Sequence, residues 1–357
     1  MIEVLTSGVA LGVHVPGLLL ARRVREQGGD IRVTVLERLL PEQKRVTTEK
    51  MKWAFHRDFR VALAGRGIAA DPSKAVEEEA VEELFRSWRG GGVHTLVVFS
   101  GFWLPIVARY AARCDRPPRV HVCHVDSVPS PSLRRADTSG LDVTHVRLAD
   151  AENGTIPCSI PVSREPAPAW SEREQRLLVH GGGWGMGTYR EQARRLSALG
   201  FALDVIAYEA QDVLDAPRVR YHMVDPDWHP WLDDGYPPLG RVRPGRPIRY
   251  TRGADHHSSF DLAGAAIATV SKPGGGTLLD SLWSATPVVF LKPFGDHERR
   301  NAELWEGKGF GIPFERWEGN GFAVDELHEA HLRLLDATAN VPDYSGILTG
   351  RTGEGAV

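Results

Sequence analysis

The chain has 357 residues, 42% of them hydrophobic and 25% charged, with three cysteines and a formal net charge of −3. That length calls for two domains rather than one core, and the composition is that of a soluble globular protein. The absence of a basic excess argues against nucleic acid as a main partner.

The chain opens with "MIEVLTSGVALGVHVPGLLLARR". His14 and Pro16 interrupt its apolar run and no basic leader precedes it, so it reads as a strand over 3–5, a glycine-bearing loop and a helix over 17–27. No run approaches the roughly 20 apolar residues that span a bilayer. With Cys114, Cys123 and Cys158 too few and too scattered for a disulfide framework, a cytoplasmic protein without an integral membrane segment is expected. Strands over 32–36, 95–99, 120–124 and 143–148 follow, with a helix over 75–88. Between them, 44–60 carries Met51, Phe55 and Phe59 at helical spacing, a stripe expected to pack on its own domain's core. This alternation predicts a parallel sheet wrapped by helices.

The Pro- and Ser-rich stretch 158–173 marks an interdomain linker, dividing the chain into domains 1–163 and 164–340 and a tail, 341–357, expected to fray. The second domain restarts the pattern with strands over 176–180, 202–207, 219–223, 266–270 and 287–291 and a helix over 188–199. The segment 224–257 breaks it. Long, Pro- and Gly-rich and holding Trp228 and Trp231, it is expected to form an ordered flap or pocket wall. Its Asp225-Pro226-Asp227 is a common chance triplet, and no metal is expected there.

Three loops carry candidate chemistry. In "SKPGGGTLLD", Gly274, Gly275 and Gly276 end a strand and open a helix. They are either a tight turn or bare amides that seat a phosphate, with Thr277 and Lys272 as further donors. Asp280 lies where it reaches ribose hydroxyls or complements the helix dipole. In "VHGGGWGMG", Gly182 and Gly183 belong to a loop that fits a structural turn or, loosely, a dinucleotide fingerprint. In "KPFGDHERRNA", His297, Glu298 and Asn301 stand either as sugar contacts or as a solvated helix start capped by Asp296.

Taken in order, "GGGWGMG" and "SKPGGGTLLDSLWSATPVVFLKPFGDHERRNA" resemble the donor-binding domain of GT-B-fold glycosyltransferases, over about 176–312. The similarity is to the group holding the peptidoglycan-precursor N-acetylglucosaminyltransferase and the galactolipid synthases. It implies an α/β chain of two Rossmann-like domains facing a central cleft, with metal-free inverting sugar transfer and no cofactor. Carried over by position, Gly275, Gly276, Thr277 and Lys272 hold the donor diphosphate. Asp280, Gly182 and Gly183 take the nucleoside, and His297, Glu298 and Asn301 take the sugar. His297 and Glu298 replace the Asp-Gln or Gln-Gln of many relatives.

In the first domain, His14-Val15-Pro16 is one residue shorter than the His-x-x-Pro of relatives whose histidine is the general base. His14 is therefore the expected base, with Asp126 of "HVDSVP", on the acceptor side, and Glu298 as substitutes. The expected activity is transfer from a UDP-sugar or other nucleotide sugar to a hydroxyl or amine of a small-molecule acceptor, in natural-product (antibiotic) biosynthesis. Its rivals are a nucleotide-sugar hydrolase or 2-epimerase, an NAD-dependent oxidoreductase and a non-catalytic nucleotide-sugar-binding partner. Oligomeric state is left open.

Overall fold

The computed structural model describes residues 1–9, 11–65, 71–214 and 216–351. The first lobe is a five-stranded parallel sheet ordered β2-β1-β3-β4-β5. Its strands are β1 (Ile2–Thr6), β2 (Ile31–Val35), β3 (Thr95–Val98), β4 (Arg119–His124) and β5 (Val143–Arg147). Every residue of β1 and β3 is buried, as central parallel strands covered on both faces require. Helices α1 (Leu11–Glu26), α2 (Glu42–Arg57), α3 (Phe59–Gly65), α4 (Glu78–Gly90), α5 (Leu104–Ala111) and α6 (Pro131–Arg135) belong to this half.

The first helix begins six residues earlier than its sequence suggests, enclosing Pro16. A proline at that place forfeits one ladder hydrogen bond. Against that loss the helix buries Leu18, Leu19 and Leu20, all at most 7% exposed, each contributing about 2 kcal/mol. Burial wins. Gly17 lets the helix cross β1 closely, since a side chain there would collide with Thr6 Cγ2.

The second lobe is a seven-stranded sheet ordered β12-β11-β10-β6-β7-β8-β9. It comprises β6 (Glu174–His180), β7 (Leu203–Ala207), β8 (Val219–Val224), β9 (Leu239–Arg241), β10 (Ala266–Ser271), β11 (Val288–Phe290) and β12 (Gly311–Pro313). All pairings are parallel except β9 on β8. Helices α7 (Tyr189–Ala198), α8 (Ser258–Ala265), α9 (Gly275–Ser284), α10 (Asp296–Gly307), α11 (Phe314–Gly319) and α12 (Val324–Asn340) complete it. No helix among the described residues is long and apolar enough to cross a membrane.

Three segments tie the lobes together, and the second and third depart from expectation. The segment 224–257 supplies the edge strand β9 and then reaches the first lobe. Arg38 bonds the Trp231 carbonyl and Asp234, and the fully buried Arg23 bonds Asp255 at 2.7 Å and the Pro161 and Val162 carbonyls. The second helix does not pack its stripe on its own core. It leans across the gap, with Phe55 6.1 Å from Trp184 and the His56 ring Nδ1 2.8 Å from the Gly185 carbonyl. Only His56 of its sixteen residues is buried, and Met51 and Phe55 face the space between the lobes instead of the first sheet.

The tail is the third such segment as far as residue 351, its last six residues lying outside the described residues. Residues Tyr344–Thr349 form α13, capped by the Asp343 side chain on the Ser345 amide. This helix returns to the first lobe, where Tyr344 is 1% exposed and Gln27 bonds Ser345 Oγ at 2.8 Å. The Asp-x-Ser spacing that caps it is a helix-start signal.

Candidate active site

The carboxyl ends of both sheets face one cleft, the usual ligand position in open parallel sheets. It encloses a cavity of about 390 Å³, lined from the second lobe by Gly182, Gly183, Lys272, Gly275, Gly276, Thr277, Asp280, His297 and Glu298, among others. That is the size of an ordinary small-ligand site.

The glycine triplet decides between its two readings by its backbone. None of Gly274, Gly275 and Gly276 has a positive φ, so the left-handed turn that favours glycine is absent. What the triplet supplies is space. A side chain on Gly276 would stand 3.5 Å from Gly12 Cα, because the mouths of α1 and α9 meet there. As the first residues of α9, Gly275, Gly276 and Thr277 have amides with no carbonyl four residues back inside the helix.

The second glycine loop is the opposite case. Gly182, Gly185 and Gly187 all have positive φ, and Tyr208 donates to the Gly182 carbonyl. These are turn glycines. Gly183 is bare because Leu11 of the first lobe crowds it.

Lys272 lies between the two loops, close to Gly182 and Gly274. Its Nζ is 2.5 Å from Glu298 Oε1, and Glu298 Oε2 accepts the Phe294 amide at 2.6 Å. Glu298 is 3% exposed. Both carboxylate oxygens are thus engaged, and the expected sugar contact at Glu298 gives way to an ion pair that holds Lys272.

Asn301 departs from its expected role likewise. It is fully buried, takes the Ser127 amide on Oδ1 at 2.7 Å, and donates from Nδ2 to Asp126 Oδ1 and the Pro273 carbonyl at 2.8 and 2.9 Å. Helical spacing would have found both, because Glu298 and Asn301 share the buried face of α10 with Leu304 and Trp305. His297 does face the cavity.

Asp280 meets a partner that the sequence did not suggest. His257 Nε2 lies 3.0 Å from its Oδ1, and Ser259 Oγ lies 2.8 Å from His257 Nδ1. An ionised Asp280 fixes the tautomer, with Nε2–H donating to the carboxylate and Ser259 donating to Nδ1. The His257 ring lines the cleft beside Asp280.

His14 is not at a loop tip. As the fourth residue of α1 it turns inward with 0% exposure, its Nδ1 3.0 Å from Thr6 Oγ1 and its Nε2 buried without a partner. Its neighbours Gly12, Val13, Val15 and Pro16 line the cavity, but His14 does not. Burial, reinforced by Arg38, lowers its pKa to about 4, so the ring is neutral at physiological pH. Asp126 is the acidic side chain of the first lobe that reaches the cavity; its Oδ1 accepts the Gly275 amide at 3.2 Å.

The buried His124, bonded to His145 at 2.9 Å, is lowered to about 4 as well, by burial and then by His145 and Arg147. An unfolded histidine titrates near 6.5, so between pH 6.5 and 4 the unfolded chain binds protons that the folded chain refuses, and stability falls as pH falls. Each histidine should remove about 2 kcal/mol between pH 6.5 and 5. Urea unfolding at the two pH values should show this loss, and His124→Gln should make it smaller.

Away from the cavity centre, His56 Nε2 lies 3.2 Å from Asp212 and 3.6 Å from Glu209. These three side chains are the one metal-like cluster among the described residues. Arg190 and Arg57 already pair with the two carboxylates, so the group acts as an ionic latch between the lobes.

A substitution tests the close approach at α9. Alanine at Gly275 is favoured by helix propensity, by about 1 kcal/mol, but its Cβ would stand 2.9 Å from Asp126 Oδ1 and 3.0 Å from the Val125 carbonyl carbon. Backbone does not yield cheaply. Gly275→Ala should lower the thermal midpoint, whereas Gly307→Ala, with nothing within 4 Å, should raise it or leave it unchanged.

No family model matches the chain, and no curated protein matches it in sequence. Its fold is nevertheless shared by solved structures along nearly the whole length. The glycosyltransferase SnogD from Streptomyces nogalater superposes with a TM-score of 0.55 at 17% identity, covering 99% of both chains. SsfS6 from Streptomyces sp. SF2575, complexed with thymidine diphosphate, gives 0.57 at 13% identity over 99% and 100%. The spinosyn rhamnosyltransferase SpnG gives 0.56 at 13% over 98% and 99%. The two-lobed architecture is therefore that of GT-B glycosyltransferases.

Proposed function

We propose that the chain transfers a sugar from a nucleoside-diphosphate sugar to a hydroxyl or amine of an apolar small-molecule acceptor. One observation carries this reading: a helix mouth stripped of side chains, with Lys272 beside it, forms part of a cleft shared by both lobes. Such a mouth presents unpaired amides and roughly half a positive charge to an anion. Shared fold with glycosyltransferases, two of them complexed with thymidine diphosphate, supports it.

In this reading Gly275, Gly276, Thr277 and Lys272 hold the diphosphate, Asp280 and His257 face the nucleoside, and His297 faces the sugar. The first-lobe wall, with Val13, Val15, Phe102 and Pro131 joined by Met51 and Phe55 of α2, suits an apolar acceptor. Asp126 takes the proton of the acceptor hydroxyl as its oxygen bonds the anomeric carbon from the face opposite the diphosphate. The bond from that carbon to the diphosphate oxygen breaks, its electron pair stays on the phosphate, and configuration inverts. The departing charge falls on the amides of α9 and on Lys272, fixed before the reaction starts.

The test is calorimetric titration with UDP, thymidine diphosphate and NADH, followed by nucleotide-sugar turnover with and without a panel of aromatic and macrocyclic alcohols. Binding of a nucleoside diphosphate and acceptor-dependent release of it support transfer. Release without acceptor would make the chain a hydrolase. Binding of NADH alone would overturn the reading.

A further inference from the structure

We propose that Asn301 is a positioning residue that parks Asp126 on the diphosphate seat, and that the incoming donor displaces Asp126 and so frees it for the acceptor. This rests on the sugar-transfer reading above. Asn301 ties two segments to α10 with a single fully buried side chain: Asp126 and Ser127 after β4 in the first lobe, and Pro273 after β10 in the second. The same Asp126 oxygen that Asn301 holds at 2.8 Å also takes the Gly275 amide, at 3.2 Å. A carboxylate therefore occupies one of the donors that a diphosphate needs.

The two anions compete for that place. A diphosphate carries more charge, can engage the Gly276 and Thr277 amides as well, and gains Lys272. Two like charges this close, in a site partly shielded from water, repel each other, so they do not share the mouth. Of the two bonds on Asp126 Oδ1, the longer one to Gly275 gives way and the shorter one to Asn301 remains as a pivot. The displaced carboxylate turns about Asn301 toward the acceptor hydroxyl, whose proton it takes as the new glycosidic bond forms and the bond to the diphosphate oxygen breaks. Donor binding thus sets the position of the base. Asn301 would then act through Asp126 without touching the sugar.

The experiment compares wild-type protein, Asp126→Asn and Asn301→Ala. Calorimetry with UDP or thymidine diphosphate, whichever wild type binds, is expected to show Asp126→Asn binding about 10-fold tighter, the competing charge being gone. Asn301→Ala is expected to lower kcat by about 10-fold or more with the donor KM unchanged or lower, since Asp126 loses its placement while Lys272 and the amides that seat the diphosphate remain. Equal diphosphate affinity in wild type and Asp126→Asn would overturn the inference, as would a rise in donor KM at constant kcat in Asn301→Ala. Should Asn301→Ala fail to fold, the affinity comparison decides alone. Wild type that binds no nucleoside diphosphate would instead overturn the underlying function.

Discussion

Asp126→Asn should lower kcat by about 10²–10⁴-fold, the usual contribution of a general base, while His14→Gln should leave kcat within a few-fold of wild type. The contrast follows from where the two side chains sit. Asp126 lines the cavity beside the first amide of α9. His14 is sealed inside α1 against Thr6 and 6.5 Å from the Trp228 ring, with no path to the cavity. What His14→Gln should change is stability, because the Thr6 bond and the packing against Trp228 are disturbed. Steady-state rates with saturating donor and acceptor separate the cases. If His14→Gln loses as much turnover as Asp126→Asn, the proton passes to His14 and the first turn of α1 must open during the reaction.

The second large effect concerns Lys272. Lys272→Met leaves Glu298, 3% exposed, without its cation, and breaking a buried pair in this way costs about 3–5 kcal/mol. Lys272→Met/Glu298→Gln removes both charges, and a glutamine oxygen still accepts the Phe294 amide, so most of the stability should return. Diphosphate affinity should not. A hydrogen bond to a charged group contributes about 1.5–3 kcal/mol, so both variants should bind the nucleoside diphosphate about 10- to 150-fold more weakly. Denaturant unfolding and calorimetry read the two quantities separately. Recovery of affinity along with stability would show that Lys272 serves only to neutralise Glu298.

Much of the architecture could be read from sequence because buried parallel strands are short β-rich runs, and β1, β3, β4, β6, β7 and β10 fall within a residue or two of their expected places. The α9 mouth was legible for a related reason: three glycines between a strand and a helix have few purposes. What escaped reading depended on direction. Pro16 looks like a boundary until the burial behind it is known, so the sequence pattern starts α1 too late and leaves His14 on a loop. A stripe of Met51 and Phe55 says that something apolar will be covered, not which lobe does the covering. Polar residues on α10 were read as facing a ligand because their chemistry suits one. Their spacing with Leu304 and Trp305 pointed inward instead.

The return of α13 to the first lobe has a practical corollary for engineering. The polypeptide passes from the first lobe to the second and, with α13, returns to the first. A hybrid that grafts a foreign second lobe onto this first lobe therefore needs two junctions, near residues 163 and 341, so that α13 stays with its native seat around Gln27 and Ser159. A single junction near 163 would exchange Tyr344 for a foreign residue and uncover the first-lobe side chains packed around it, His121 among them.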